Sequence, residues 1–173
     1  DFSEIPRDMH TEVLEKTVTA AEEAHNEYLR KLEEERKAAE EAQRLAEEQA
    51  AREAAAQADK ELLAALIFCE AGNQPYEGQV AVGAVVMNRV KHPSFPSTIE
   101  GVLAQKNQFT TYWSGHIGRS SPNAESVIAA KLVLDGGVVE EVKNALYFDS
   151  AASSWASRNR TCVAVIGGHR FYA

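Results

Sequence analysis

The chain has 173 residues, 18 of them Lys or Arg and 26 Asp or Glu, for a formal net charge of −8. Residues 1–60 hold 9 basic and 17 acidic side chains while residues 61–173 hold 9 of each, so an acidic extension precedes a neutral piece that carries all ten glycines and can bury one modest core. The neutral piece lacks the clustered Lys/Arg of a nucleic-acid surface, and the longest apolar run, Leu62 to Cys69, is far short of the ~20 residues of a membrane-spanning helix; a soluble chain with no nucleic-acid partner and no membrane span is expected.

The first residue is Asp rather than Met, which leads us to expect either processing after export or trimming. From Thr11 to Ala58 there is no Gly or Pro, and Ala, Glu, Lys, Arg, Gln and Leu dominate, the residues that cost a helix least. One long helix of roughly 70 Å is predicted, supported by opposite charges four apart at Glu27 and Lys31, Glu33 and Lys37, and Glu40 and Arg44. A heptad reading from Leu14 through Val18, Ala21, His25, Tyr28, Leu32 and Glu35 to Ala56 is apolar at nine of thirteen positions, five of them Ala. The seam is thin, so the helix is either a weak Ala-rich coiled coil able to self-associate or a solvated spacer.

The second piece, 61–173, opens with Leu62, Leu63, Ala65, Leu66, Ile67, Phe68 and Cys69, apolar on every side of a helix and expected inside the domain. Gly72 and Asn73 end that helix and Pro75 keeps it from resuming. Val82, Val85, Val86 and Val90 sit at helical spacing between Gly78 and Val90, and a helix is expected there despite the valines. Ser97 with Glu100 forms a capping-box pattern that predicts a short helix from Thr98. Ser121 and Pro122 read as cap and first position of a helix closed by Gly136 and Gly137. Ala145 to Phe148 and Cys162 to Ile166 read as short strands, and Gly167-Gly168 before His169 to Tyr172 as a hairpin. The expected class is α+β, helices first and a small antiparallel sheet after.

Glu70 follows the apolar run and precedes the turn. A carboxyl there is expected to be partly desolvated, which disfavours its ionised form and suits a general acid; a glutamate turned outward at a helix end is the alternative. Glu77 and Asp149 remain as candidate second carboxylates. The five histidines show no H-E-x-x-H spacing and the two cysteines no C-x-x-C, so neither metal nor cofactor is expected. A Cys69–Cys162 disulfide is an expectation only for an exported chain. Phe109, Tyr112 and Trp113, and Trp155 after Tyr147 and Phe148, read as loop aromatics suited to stacking on sugar rings, with Asn107, Gln108, Arg158 and Asn159 nearby as hydrogen-bonding groups; packing of the domain's own loops is the alternative.

Several ordered motifs then point one way. Glu70-Ala71, Pro75-Tyr76-Glu77-Gly78-Gln79-Val80-Ala81-Val82-Gly83-Ala84-Val85, Asn88-Arg89-Val90, Pro93-Ser94-Phe95-Pro96, Gln108-Phe109-Thr110 and Ile166-Gly167-x-His169-x-Phe171 together resemble the SleB-type cell wall hydrolases, the spore cortex-lytic enzyme family, over nearly all of residues 62–172. The resemblance implies a lysozyme-like catalytic domain acting on peptidoglycan, Glu70 as the essential acid, and action outside the cytoplasm, in the envelope or spore cortex. It implies a lytic transglycosylase that cuts between N-acetylmuramic acid or muramic lactam and N-acetylglucosamine and leaves a 1,6-anhydro sugar; a hydrolytic muramidase and a non-catalytic peptidoglycan-binding scaffold are the alternatives. Gln79, Gln108, Phe109, Thr110, Tyr112, Tyr147, Trp155, Arg158 and His169 are the expected substrate contacts. The chain departs from the family pattern at Gly72-Asn73-Gln74, where Arg-Gly-Glu is common, and at Gly168, where Asn is common.

Overall fold

The computed structural model describes residues 6–173; the part of the predicted extension formed by residues 1–5 lies outside them. Helix α1 runs without a break over Arg7–Ala71, and the chain forms two compact units, one ending at Arg52 and the other spanning Glu53–Ala173. In the first unit every described residue is exposed except the half-buried His10 and Glu27. Its helix is held by local ion pairs, including Glu33 with Lys37 at 2.8 Å and Arg36 with Glu40 at 2.9 Å. The expected Glu40–Arg44 pair is replaced, because Arg44 reaches Glu41 and Glu48 instead. Exposed pairs of this kind are screened by solvent and contribute little to stability.

In the second unit the last turns of α1 carry Leu63, Leu66 and Ile67 into the core at 0% exposure. The helix stops where Gly72 closes it: the Gly72 amide donates to the Phe68 carbonyl at 2.9 Å, and a Cβ there would stand 2.5 Å from that same oxygen. Pro75, with φ of −53°, then starts α2 (Tyr76–Lys91). Residues Gly78 to Val86 are all buried, so tertiary burial on every side outweighs the strand preference of four valines. Gly83 lets α1 and α2 cross closely, since a Cβ would lie 2.9 Å from Ile67 Cδ1 and 3.3 Å from Val133 Cγ2. That valine belongs to α6 (Ala124–Leu134), which with α3 (Ile99–Leu103) closes the first core cluster around Leu66, Val80 and Leu103.

Two caps differ from the sequence reading. Thr98, not Ser97, caps α3, its Oγ1 accepting from the Gly101 amide at 3.0 Å. Asn123, not Ser121, caps α6 by accepting from the Ser126 amide at 2.9 Å, so Pro122 stands outside the helix. The segment read as an aromatic loop is two short helices, α4 (Thr110–Trp113) and α5 (His116–Arg119), and Trp155 opens another, α7 (Trp155–Asn159).

Strands β1 (Tyr147–Asp149), β2 (Cys162–Ile166) and β3 (His169–Tyr172) form an antiparallel sheet in the order β1-β3-β2, with Phe148 opposite Phe171 and Ile166 opposite His169. Phe171 buries the sheet against Val82, Val85 and Val142 in a second cluster. The β2–β3 turn needs φ of +56° at Gly167, which glycine adopts without strain, and the Gly168 amide donates to Gln74 Oε1 at 2.7 Å. Both cysteines are free thiols, Cys69 half-buried and Cys162 exposed.

Candidate active site

A groove of about 460 Å³ lies along the free edge of β1. Glu70 enters it from the last turn of α1, Arg89 from α2, Gln108 and Phe109 from the segment before α4, Tyr147, Phe148 and Asp149 from β1, Ser154 and Trp155 from the start of α7, and His169 from β3. A separate hollow of about 570 Å³, lined by Lys60, Glu61, Ile117 and Val127 among others, is larger but brings no comparable set of polar groups together.

Glu70 is half-buried. Thr111 Oγ1 donates to its Oε1 at 2.7 Å, which fixes the carboxyl rotamer; Oε2 takes no part in the hydrogen bonds among the described residues. Asp149 is fixed at one oxygen too: Ser154 Oγ donates to Oδ2, and Ser154 is itself held by a reciprocal capping box with Ser157 at the start of α7. The other oxygen, Oδ1, is buried without a protein partner, as is His169 Nδ1. Unpaired buried polar atoms cost stability, and both residues that carry them line the groove. Burial holds the His169 imidazole below its ordinary 6.5, against the opposing pull of the Glu70 and Asp149 charges.

Arg89 supports the aromatic wall. It is 3% exposed, its Nε donates to the Leu146 carbonyl at 2.7 Å and its Nη1 to Gln108 Oε1 at 3.0 Å, and its guanidinium lies 5.0–5.4 Å from the ring centres of Phe95, Tyr147 and Phe109. Burial lowers its pKa to about 10, so it stays charged at neutral pH and holds those rings by cation–π attraction. Tyr147 in turn packs on Trp155 with ring centres 5.4 Å apart, and Trp155 remains 53% exposed, an open face on which a sugar ring can stack.

Of the residues expected from the sequence, Glu70, Gln108, Phe109, Tyr147, Trp155 and His169 meet in the groove. Phe109 does so as a wall, at 3% exposure, rather than as an exposed loop aromatic. Gln79 is corrected outright: it is 0% exposed, its Nε2 donates to the Gln74 carbonyl at 3.2 Å and to Glu125 at 3.0 Å, and its Oε1 accepts from Ser126 at 2.8 Å. Its hydrogen-bonding groups are spent on the fold. Thr110 lines a separate hollow with Lys106, Asn107 and Trp113, Tyr112 donates to Glu100 at 3.4 Å, and Arg158 points to Ser153 at 2.9 Å; none of the three lines the groove. Nor does Glu77, which is exposed, whereas Asp149 does. Sequence reasoning missed Thr111, Arg89, Phe148 and Ser154. Arg89 stood in a quoted motif and Thr111 stood one position beyond another, so both signals were within reach. Among the described residues no cluster of three or more His, Cys, Asp and Glu is placed to hold a metal ion, and no helix is long and apolar enough to cross a membrane.

The sequence pattern of the Cell Wall Hydrolase family matches residues 73–172, beginning three residues after Glu70. The chain is 39% identical over 117 residues to a spore cortex-lytic enzyme of Bacillus cereus, covering 65% of this chain and 43% of that protein. It is 37% identical over 116 residues to a spore cortex-lytic enzyme of Bacillus subtilis, covering 65% of this chain and 37% of that one. The chain thus spans less than half the length of these curated relatives. The fold is similar to the crystal structure of the catalytic domain of the Bacillus cereus SleB protein, with a TM-score of 0.58 and 35% identity over 68% of this chain and 91% of that one. It is also similar to the catalytic domain of the germination-specific lytic transglycosylase SleB of Bacillus anthracis, with a TM-score of 0.60 and 34% identity over 66% of this chain and 93% of that one. With more than half of its length matched and a groove built around one anchored carboxyl, this chain belongs to the cell wall hydrolase family.

Proposed function

We propose that residues 61–173 cleave peptidoglycan glycan strands as a lytic transglycosylase, outside the cytoplasm after export, and that the acidic extension, residues 1–60, serves self-association of the enzyme through its part of α1. The observation that carries the reading is a carboxyl group, Glu70, at the end of a buried helical turn, held by Thr111 at one oxygen and open to the groove at the other. Protonated Glu70 donates its proton to the glycosidic oxygen between the muramic residue and N-acetylglucosamine, and the C1–O bond breaks toward an oxocarbenium-like state. The muramic 6-hydroxyl then closes on C1 and returns its proton to the Glu70 carboxylate. No water is consumed, Glu70 ends as it began, and the product is a 1,6-anhydro sugar. Tyr147 and Trp155 stack on sugar rings, Gln108 and His169 bond hydroxyl or acetamido groups, and neutral His169 adds no second cation beside Arg89.

A second reading, hydrolysis, draws support from Asp149, a second carboxyl residue lining the same groove, the residue type that orients a water molecule in two-carboxylate glycosidases. One experiment addresses both. Purified sacculi are digested with wild type and Glu70→Gln, and released muropeptides are weighed by mass spectrometry. The glutamine keeps an acceptor for Thr111, so the fold persists while activity falls by roughly 10²- to 10⁴-fold or more. Products lighter by one water mark cyclisation. Reducing ends alone make the enzyme a hydrolase, and full activity in the variant removes Glu70 from the chemistry.

A further inference from the structure

We infer that residues 8–52 of α1 pair antiparallel with the same span of a second copy of this chain, about a twofold axis at Arg30. The inference rests on the self-association proposed above and gives it a geometry. Leu14, Val18, Tyr28, Leu29, Leu32 and Leu45 are each 47–65% exposed and fall on the heptad seam or the positions that flank it, whereas Glu33, Lys37, Glu41 and Arg44, which form local ion pairs, lie on the far face. A stripe of this kind on an otherwise solvated helix is an interaction surface.

Charge selects the partner's direction. In a parallel, in-register pair each seam residue meets its own copy, so Glu35 would face Glu35 in a desolvated layer, and Lys31 would flank Arg36 of the other chain. Like charges in both places oppose association. Reversing one helix about Arg30 turns these into complementary contacts: His25 faces Glu35 within the seam, and Glu22 faces Arg36 beside it. Four further layers are apolar, Tyr28 on Leu32, Val18 on Ala42, Ala21 on Ala39 and Leu14 on Ala46, the terminal layer pairs Thr11 with Gln49, and Leu29 meets its own copy at the axis. The alanine layers let the helices approach at the short end of the usual 8–10 Å. A shift of one heptad in either direction sets Glu35 against Leu32 or Val18, which leaves its carboxylate unpaired and fixes the register. The one like-charge contact is Lys31 with its own copy, and each Lys31 is 3.5 Å from Glu27 of its own helix. The paired span ends at Arg52, where the first compact unit also ends.

The test is sedimentation equilibrium of the full chain at several concentrations, with wild type, Glu22→Arg, Arg36→Glu and the double variant. Two symmetry-related ion pairs become repulsions in each single variant, so its dimer Kd is expected to rise by roughly tenfold, and the double variant is expected to restore the wild-type value. A wild type that stays monomeric at every concentration overturns self-association itself. A dimer that is tightened by Arg36→Glu, as the parallel arrangement requires, or that the double variant fails to restore, overturns the antiparallel register alone.

Discussion

Replacing Gln79 by Met separates a residue that serves the fold from one that touches substrate. The two side chains are close in length and volume, so Gln79→Met leaves no cavity and removes only the amide. Three hydrogen bonds go with it, at 2.8, 3.0 and 3.2 Å. Ser126, 0% exposed, loses the acceptor of its hydroxyl, and the Gln74 carbonyl loses a donor. Glu125 is exposed, and water compensates its loss. An unsatisfied buried group costs ~1–3 kcal/mol; Ser126 supplies one such group, the half-buried Gln74 carbonyl is partly compensated by water, and burying a thioether offsets the remainder, so the destabilisation is about 1–3 kcal/mol. With a mid-range urea slope of ~2 kcal/mol per molar, the unfolding midpoint should fall by roughly 0.5–1.5 M. At a temperature where the variant remains folded, its KM for sacculi should match wild type within about twofold, because no interaction with substrate has been removed. A midpoint that does not move, together with a raised KM, would refute the assignment of Gln79 to the fold.

Thr111→Val should lower kcat by roughly 10- to 100-fold through loss of carboxyl positioning while Thr111→Ser retains activity; equal kinetics in all three proteins would remove the Thr111–Glu70 bond from the mechanism. His169 should titrate below 6.5 by NMR, because burial disfavours its charged form. The unfolded chain therefore takes up this proton first: stability is undiminished above about pH 6.5 and declines as pH falls through that value toward the folded-state pKa. A His169 titration at or above 6.5 would contradict the burial argument.

The sequence was most readable where one cause acts alone. Gly72 ends one helix where a Cβ would stand 2.5 Å from the Phe68 carbonyl, Pro75 with its fixed φ starts the next, and the apolar run before Glu70 could only be core. It was least readable where neighbouring residues compete for one role. Ser121 and Asn123 are both good caps, and the choice fell to whichever side chain the packed α6 brought within reach of the Ser126 amide. Thr110 and Thr111 are adjacent in sequence, but on a helix they differ by about 100° in direction, and only the fold decides which one meets Glu70. Gln79 sat in a family motif, and nothing in a linear pattern separates a motif residue that contacts substrate from one that ties α2 to α6.

The link between Gln74 and Gly168 has a mechanical consequence. Gln74 lies four residues beyond Glu70, and Gly168 lies beside His169, so the 2.7 Å bond between them ties the turn after α1 to the β2–β3 turn. A Cβ at Gly167 would stand 2.5 Å from Gln74 Oε1, so any side chain there would push the two turns apart. The tie between the turns therefore depends on glycine at 167, and a substitution there would be felt at both Glu70 and His169 through the residues that flank them.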